Sequence, residues 1–284
     1  MKKILALICM LLITACGQSR DSSVKEPQYK EMETGRYGTT EPITRGEVAK
    51  LLAMAKYNLT EIENMERNVN LTDTNIDLWY DKYINSAVKA DLISGTQENT
   101  FLPEHYLSLE QAQFILNKFS DNLKLEYVNE DRKKPIAYSM WIDAFEAALK
   151  NQQQTNIVEE AFVILADGSD IALLGDSLVM TTKGLKSLEG RDIQTLKYKE
   201  IKVLSKDNEV LAIKEVVSNN PVITVVVKEI GQDYLVCNSC GCNITFKGKD
   251  LQVNSEDKID MEIQGLNIMK IIKNYNQEGN NEQN

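Results

Sequence analysis

Apolar residues recur every three or four positions along the first half of the chain, from about residue 41 to residue 150. The runs Val48–Ala55 and Ile84–Leu92 both follow this spacing, which places their apolar side chains on one face of a helix. Pro42 and Thr44 precede the first run, and Glu47 follows Thr44 by three residues, as in a capping box. The pattern predicts a mainly helical region over residues 41–150.

The polar segment 151–156 contains no apolar residue, and we place a domain boundary there. Beyond Glu159, short β-branched and apolar runs alternate with Gly, Asn and Asp positions, as in strands joined by turns. The runs are Phe162–Leu165, Ile201–Leu204 and Val222–Val227, and Lys206–Glu209 has the composition of a hairpin connection. The chain is therefore expected to be α+β, with a β-rich second half.

The β-rich half also contains a weak internal repeat at an ungapped offset of 58 residues. Gly190–Gln194 lies over Gly248–Gln252, and each segment carries a Gly-x-Asp sequence that predicts a tight turn in which glycine adopts a positive φ. Further aligned pairs are Leu178 with Val236, Ile201 with Ile259, Leu211 with Met269 and Ile213 with Ile271. Chance similarity between two β-rich stretches is the alternative. A true duplication predicts two similar β-modules, over residues 157–217 and 221–274, followed by a disordered tail over residues 275–284.

The N-terminus has the pattern of an export signal. Lys2 and Lys3 precede an apolar run that ends in Ile13-Thr14-Ala15-Cys16. This run is shorter than the roughly 20 residues that a permanent membrane helix needs. The last four residues resemble a bacterial lipobox, which implies a signal peptide over residues 1–16 and diacylglycerol on Cys16; an ordinary secretory signal cut elsewhere is the alternative. Residues 17–40 are polar and are expected to form a flexible tether.

Composition excludes one class of partner. The formal net charge is −10, and the chain has no block dense in Lys and Arg, so binding to a nucleic acid is not expected. At 284 residues the chain is long enough for two modest cores.

The stretch from Asp73 to Phe119 resembles a repeat of the S-layer homology family. Asp77–Tyr80 stands at the family's aromatic helix start, Ala87–Gly95 at its helix end and turn, and Asn99–Glu104 at its extended Phe-x-Pro piece. Leu107–Glu110 departs from the family, because the polar Thr-Arg pair of the second helix is missing there.

Two further segments resemble second helices of the same repeat, Pro42–Ala49 and Pro135–Trp141. The resemblance thus covers about residues 42–150 and implies a threefold pseudo-symmetric domain with degraded outer repeats.

The resemblance implies a binding function, because members of the family hold anionic secondary cell-wall glycans in grooves between repeats. It suggests five glycan-contact candidates: Thr44, Arg45, Glu47, Trp79 and Gly95. Arg45 retains the family's arginine, and a guanidinium can bind a carboxylate through two hydrogen bonds. Trp79 as a core residue, Gly95 as a turn residue and Arg45 as a solvated partner of Glu47 are the alternatives.

Three cysteines remain after Cys9 is lost with the signal and Cys16 is lipidated: Cys237, Cys240 and Cys242. Their spacing suits a metal site, but zinc usually takes four protein ligands, and His105 would have to complete the set. A Cys237/Cys240 disulfide, an intermolecular disulfide and three unreactive thiols are equally open.

Catalytic patterns are absent from the sequence. His105 is the only histidine, and no nucleophile motif or phosphate-binding glycine loop accompanies it. We expect a non-enzymatic protein without a cofactor, anchored to the outer face of a Gram-positive-type membrane. Its expected partners are wall polysaccharide or other envelope proteins. The alternative is an extracytoplasmic metal- or thiol-dependent protein that uses the cysteine cluster.

Overall fold

The computed structural model describes residues 41–278, apart from residues 68, 97, 121–122, 129–130, 154–155 and 190–192. The expected signal peptide, Cys16, the tether over residues 17–40 and most of the expected tail lie outside the described residues. Helices come first along the chain and strands follow, so the α+β prediction is confirmed. None of the described helices is long and apolar enough to cross a membrane.

Five helices form the N-terminal domain, and a sixth, single-turn helix follows the last strand. Their bounds are α1 Arg45–Lys56, α2 Leu59–Glu63, α3 Asp81–Lys89, α4 Leu109–Phe119, α5 Tyr138–Asn151 and α6 Tyr275–Glu278. Helix α6 lies at the start of the segment 275–284 that was expected to form a tail.

A cyclic set of backbone hydrogen bonds lies at the centre of the helical domain. The amide of Ile43 donates to Ile136 O (3.3 Å), that of Ile136 to Leu107 O (2.8 Å), and that of Leu107 to Ile43 O (3.0 Å). All three side chains are fully buried. The ring relates three equivalent segments, each of which leads directly into a helix, as the threefold pseudo-symmetric prediction requires.

The three helices that leave this ring are α1, α4 and α5, and their first residues are capped differently. Thr44 and Glu47 form a complete capping box at α1, and Ser108 and Gln111 form another at α4. At α5 the equivalent residue is Ala137, which makes no side-chain cap. Ser108 thus performs the role of the threonine in the family pattern, although its neighbour Leu109 replaces the arginine.

The β-rich half folds into two closed five-stranded barrels. Barrel 1 contains β1 Val158–Ala166, β2 Leu178–Thr181, β3 Gly184–Ser187, β4 Glu200–Lys206 and β5 Glu209–Ser218. Barrel 2 contains β6 Val222–Ile230, β7 Tyr234–Ser239, β8 Cys242–Lys247, β9 Lys258–Gln264 and β10 Asn267–Asn274. The order around barrel 1 is β1-β2-β3-β5-β4, and barrel 2 repeats it as β6-β7-β8-β10-β9. Closure leaves neither sheet with a free edge strand.

The strands of the two barrels keep the spacing that the sequence comparison suggested. β4 begins at Glu200 and β9 at Lys258, while β5 begins at Glu209 and β10 at Asn267, so both pairs are 58 residues apart. Ile201 and Ile259 are both fully buried in their barrels. The prediction of two similar β-modules is confirmed.

The expected Gly-x-Asp turn is wrong in one respect. Residues 190–192 lie outside the described residues, but the second copy is described. There the left-handed backbone belongs to Asp250, with φ of 54°, and not to Gly248. A Cβ on Gly248 would lie 2.7 Å from Leu251 Cδ1, so a larger residue there would require the Leu251 side chain to shift.

Barrel 1 packs against the helical domain through the outer face of β4 and β5. Leu204, Leu211 and Ala212 are buried there and belong to the same apolar cluster as the helices. A different face of barrel 1, around Val163 and Leu165 in β1, joins the apolar cluster of barrel 2. Barrel 1 therefore has neighbours on two of its faces.

Candidate functional site

Arg45 begins α1 and holds a turn of the middle repeat in place. Its Nε donates to Phe101 O (2.8 Å), its Nη2 donates to Ser94 O (2.7 Å), and its guanidinium carbon lies 4.6 Å from the centre of the Phe101 ring. The residue is only 7% exposed. Desolvation lowers the pKa of Arg45, and the charge of Asp73 acts in the opposite direction. Arg45 is thus built into the fold through two backbone carbonyls.

Thr44 and Glu47 are both buried and are hydrogen-bonded to each other. The amide and the hydroxyl of Thr44 donate to Glu47 Oε2 at 2.9 and 3.0 Å, and the amide of Glu47 donates back to Thr44 Oγ1. These bonds satisfy donors at the helix N-terminus that have no partner within the helix. The two residues fix the start of α1 and thereby the position of Arg45.

Gly95 lies where two backbone segments approach closely. A Cβ there would be 2.8 Å from Thr100 O and 2.9 Å from Leu71 Cδ2, so only glycine fits without a shift. Asp73 fixes the same turn from the other side, because its carboxylate accepts the amides of Phe101 and Leu102 at 2.7 and 2.6 Å. The turn is therefore fixed by the hydrogen bonds of Arg45, by those of Asp73 and by the close packing at Gly95.

Trp79 is partly buried and lies apart from these contacts, in an aromatic group with Tyr80 and Tyr83. The ammonium of Lys50 lies 5.2 Å from the Tyr83 ring centre and 6.0 Å from that of Trp79. The structure thus places Trp79 beside a buried lysine. Trp79 is not among the described contacts of Arg45.

Four charges meet around the Tyr83 hydroxyl, two from the helical domain and two from barrel 1. Lys50 Nζ contacts Glu209 Oε2 at 2.9 Å, and Lys82 Nζ contacts Glu189 Oε2 at 3.0 Å. The Tyr83 hydroxyl is within 3.1 Å of Glu189 Oε2 and 3.2 Å of Glu209 Oε2. Burial, together with the two carboxylates, raises the pKa of Tyr83, so this hydroxyl stays protonated. We name these five residues the seam cluster.

The seam cluster was not predicted from the sequence. One signal was available: Lys50 interrupts the apolar run of α1, in which every residue from Arg45 to Ala55 is buried. A lysine in such a position needs an anionic partner. The identity of that partner was not readable, because Glu209 is 159 positions further along the chain.

The three described cysteines form no disulfide, and their environments differ. Cys237 and Cys242 are buried in barrel 2, whereas Cys240 is exposed and its thiol donates to Thr182 O at 3.0 Å. Burial raises the pKa of Cys237 to about 12 and also raises that of Cys242. Both groups therefore remain thiols, which are poor metal ligands and nucleophiles.

The metal alternative finds no centre in the described part of the chain. No group of three His, Cys, Asp or Glu side chains there could hold a metal ion, so His105 does not complete a set with Cys237, Cys240 and Cys242. His105 is exposed in the loop before α4, and its carbonyl accepts the amide of Arg45 at 2.9 Å.

Residues 70–112 match the family model of the S-layer homology domain. The match includes Trp79, Lys82, Tyr83 and Gly95, and it ends within α4. No curated protein matches the chain. S-layer homology domains are non-catalytic modules that bind cell-wall polysaccharide, and they are associated with the cell surface. The chain is therefore an S-layer homology domain-containing protein.

Proposed function

We propose that the protein is a non-catalytic, lipid-anchored envelope protein whose helical domain binds anionic wall glycan or acts as a scaffold at the wall. The observation that carries this proposal is the threefold ring of backbone hydrogen bonds. It joins the complete repeat, whose second helix is α4, to two further second helices, the capped α1 and the uncapped α5. That framework positions the turn Ser94–Phe101 and the exposed residues Glu104, His105 and Tyr106 that follow it.

Arg45 contributes to binding in this proposal by shaping the surface, since its described donors are engaged with Phe101 O and Ser94 O. It is a positioning residue for the turn. The aromatic ring of Tyr106, 54% exposed, offers a face on which a sugar ring can pack.

The anchor in this proposal is diacylglycerol on Cys16. Two acyl chains hold a protein on a membrane durably, whereas one chain gives only marginal binding. The polar residues 17–40 would then separate the helical domain from the bilayer.

A wall pull-down tests the function. The soluble form that starts at Ser19 is incubated with peptidoglycan sacculi that either retain or lack their secondary polymer. Retention that disappears when the polymer is stripped supports glycan binding. Equal absence from both pellets rules out glycan binding and leaves the scaffold role, for which cross-linking in cells would identify the protein partner.

Arg45 variants sharpen the pull-down. Arg45→Ala removes both carbonyl contacts and should reduce retention at least fivefold, whereas Arg132→Ala removes an exposed arginine of the same domain and should leave retention unchanged. Arg45→Lys keeps the charge but cannot reproduce the two-carbonyl geometry, so it should resemble Arg45→Ala. Full retention by Arg45→Lys would show that charge alone matters. Thermal unfolding of each variant verifies that the domain is folded.

Acyl attachment is tested separately, by mass spectrometry of the membrane fraction and by Cys16→Ser, which should release the protein into the medium. Nothing among the described residues favours the metal- or thiol-dependent alternative over glycan binding.

A further inference from the structure

Lys82 and Tyr83 of the seam cluster, together with the neighbouring Trp79, combine groups that ordinarily recognise an acidic sugar. Lys82 supplies an ammonium, Tyr83 supplies a hydroxyl, and Trp79 supplies an aromatic face, and all three lie within the S-layer homology match. In this structure the partner of Lys82 and Tyr83 is a carboxylate that belongs to another part of the same chain, Glu189, which follows β3 of barrel 1.

The two glutamates of the seam cluster differ in how deeply they are buried. The Lys50–Glu209 pair is enclosed, with side chains 1% and 5% exposed. The Lys82–Glu189 pair lies at the solvent edge, with side chains 29% and 22% exposed. An incoming carboxylate could replace Glu189 on Lys82 and Tyr83 while Glu209 stays on Lys50.

Replacement at this edge does not require the helical domain and barrel 1 to separate. The apolar contact between them is made by Leu204, Leu211 and Ala212, which are 2% exposed or less. Glu189 is outside that apolar group. The Lys82–Glu189 pair is partly exposed, and ion pairs in contact with solvent contribute little to stability.

We propose that Lys82, Tyr83 and Trp79 form a binding site for a carboxylate-bearing sugar and that Glu189 occupies it as a tethered competitor. The inference rests on the proposed glycan-binding function and adds its regulation: barrel 1 lowers the affinity of the helical domain for acidic glycan. At Lys82 and Tyr83 a ligand binds only when its carboxylate displaces the carboxylate of Glu189.

The test measures binding of polygalacturonate, a soluble polyuronate, by isothermal titration calorimetry, with neutral dextran as the comparison polymer. Glu189→Ala should tighten polygalacturonate binding about fivefold, the factor that corresponds to the upper range of a partly exposed ion pair. Glu189→Gln keeps the shape of the side chain and should give a similar increase. Dextran binding should not change.

Two further variants separate a specific site from a general gain of positive charge. Glu215→Gln removes another ion-paired glutamate of barrel 1, which contacts Lys202, and should leave the affinity unchanged. Lys82→Met added to Glu189→Ala should abolish the gain. The proposal is overturned if Glu189→Ala has no effect, if Glu215→Gln has the same effect, or if the gain survives Lys82→Met.

The wall pull-down run on the same proteins distinguishes this proposal from the proposed function. Wall retention by the wild type with no response to Glu189→Ala would overturn the competitor and leave glycan binding intact. A gain on polygalacturonate without any wall retention would support the seam site and contradict the wall function.

Discussion

The two barrels have the same strand order and the same spacing from β3 to β5 as from β8 to β10, yet their outer faces differ. In barrel 1, Leu204, Leu211 and Ala212 are buried against the helices. The residues 58 positions later are Glu262, Met269 and Lys270. Glu262 and Lys270 form an ion pair at 3.0 Å, and Met269 is 52% exposed.

This difference shows that the residues facing the interior of each barrel specify the fold. The residues facing outward specify whether that face packs against the helical domain or is exposed to solvent. Ile201 and Ile259 are equivalent and equally buried because both face their own barrel core. Leu211 and Met269 are equivalent in position but not in burial, because the helical domain packs on Leu211 and no described element covers Met269 in the same way. The equivalent face of barrel 2 carries the Glu262–Lys270 ion pair and the half-exposed Met269 instead.

The largest expected effect on stability comes from removing the barrel 1 carboxylate that pairs with the buried Lys50. Glu209→Ala leaves Lys50 buried without that carboxylate and should lower the free energy of unfolding by about 4 kcal/mol. Asn267→Ala, at the equivalent position of barrel 2, should cost less than about 0.5 kcal/mol because Asn267 is exposed. Urea unfolding measures both, and equal losses would contradict the assigned role of Glu209.

The apolar contact gives the next effect. Leu211→Ala opens a cavity between β5 and the helices and should cost about 3 kcal/mol. Met269→Ala, its counterpart on β10, should cost less than about 1 kcal/mol, since half of the side chain is already in water. If both substitutions lower the free energy of unfolding by the same amount in urea unfolding, the outer faces of the two barrels do not differ in burial as described.

The buried thiol in barrel 2 provides a pH-dependent comparison. Cys237 occupies the position of Val179 in barrel 1, and both are almost fully buried, so Cys237→Val should change stability at pH 7 by less than about 1 kcal/mol. The pKa of Cys237 is raised by burial from 9.0 to about 12. The unfolded chain therefore loses this proton first, and rising pH favours unfolding.

The contribution of this thiol to stability is complete below about pH 9 and is lost as the pH rises toward 12. Wild-type protein should lose up to about 1.4 kcal/mol per pH unit from this group in that window. Cys237→Val should remove that part of the slope, whereas Cys240→Ser, at an exposed thiol, should retain it. Urea unfolding at pH 8, 9.5 and 10.5 measures the slopes, and an unchanged slope in Cys237→Val would refute the assignment.

The smallest effect on stability is expected from giving barrel 2 the outer face of barrel 1. Glu262→Leu combined with Lys270→Ala removes an exposed ion pair and should change the free energy of unfolding by about 0.5 kcal/mol. It should, however, promote self-association, because it exposes an apolar face without a neighbour. Light scattering after size-exclusion chromatography measures association, and Glu262→Gln is the polar control. A strictly monomeric double variant would show that the ion pair is not what keeps this face soluble.

Local patterns in the sequence were sufficient for much of the fold. The capping residues Thr44 and Glu47 marked the start of α1, and Ser108 and Gln111 carried the same signal for α4 without being recognised. The offset of 58 residues was visible because each barrel places inward residues in the same register. Such features depend on neighbours within one helix or one strand.

The candidate site was less predictable. The resemblance named Arg45, Trp79 and Gly95, but the structure separates them, with Arg45 and Gly95 at one turn and Trp79 beside Lys50. Periodicity cannot distinguish an arginine that faces a ligand from one whose guanidinium is hydrogen-bonded to two carbonyls. The seam cluster joins residues more than 100 positions apart, which no local pattern reveals.

The sequence by itself determined the α+β order of the chain, the start of α1 and the duplication, because periodicity and capping are properties of short segments. Only the tertiary structure decided which face of each barrel is covered and which charges meet around Tyr83. Burial and ion pairing depend on distances between elements that are remote in sequence. A leucine in β5 and a methionine in β10 become core and surface only when the helical domain packs on one barrel and not on the other.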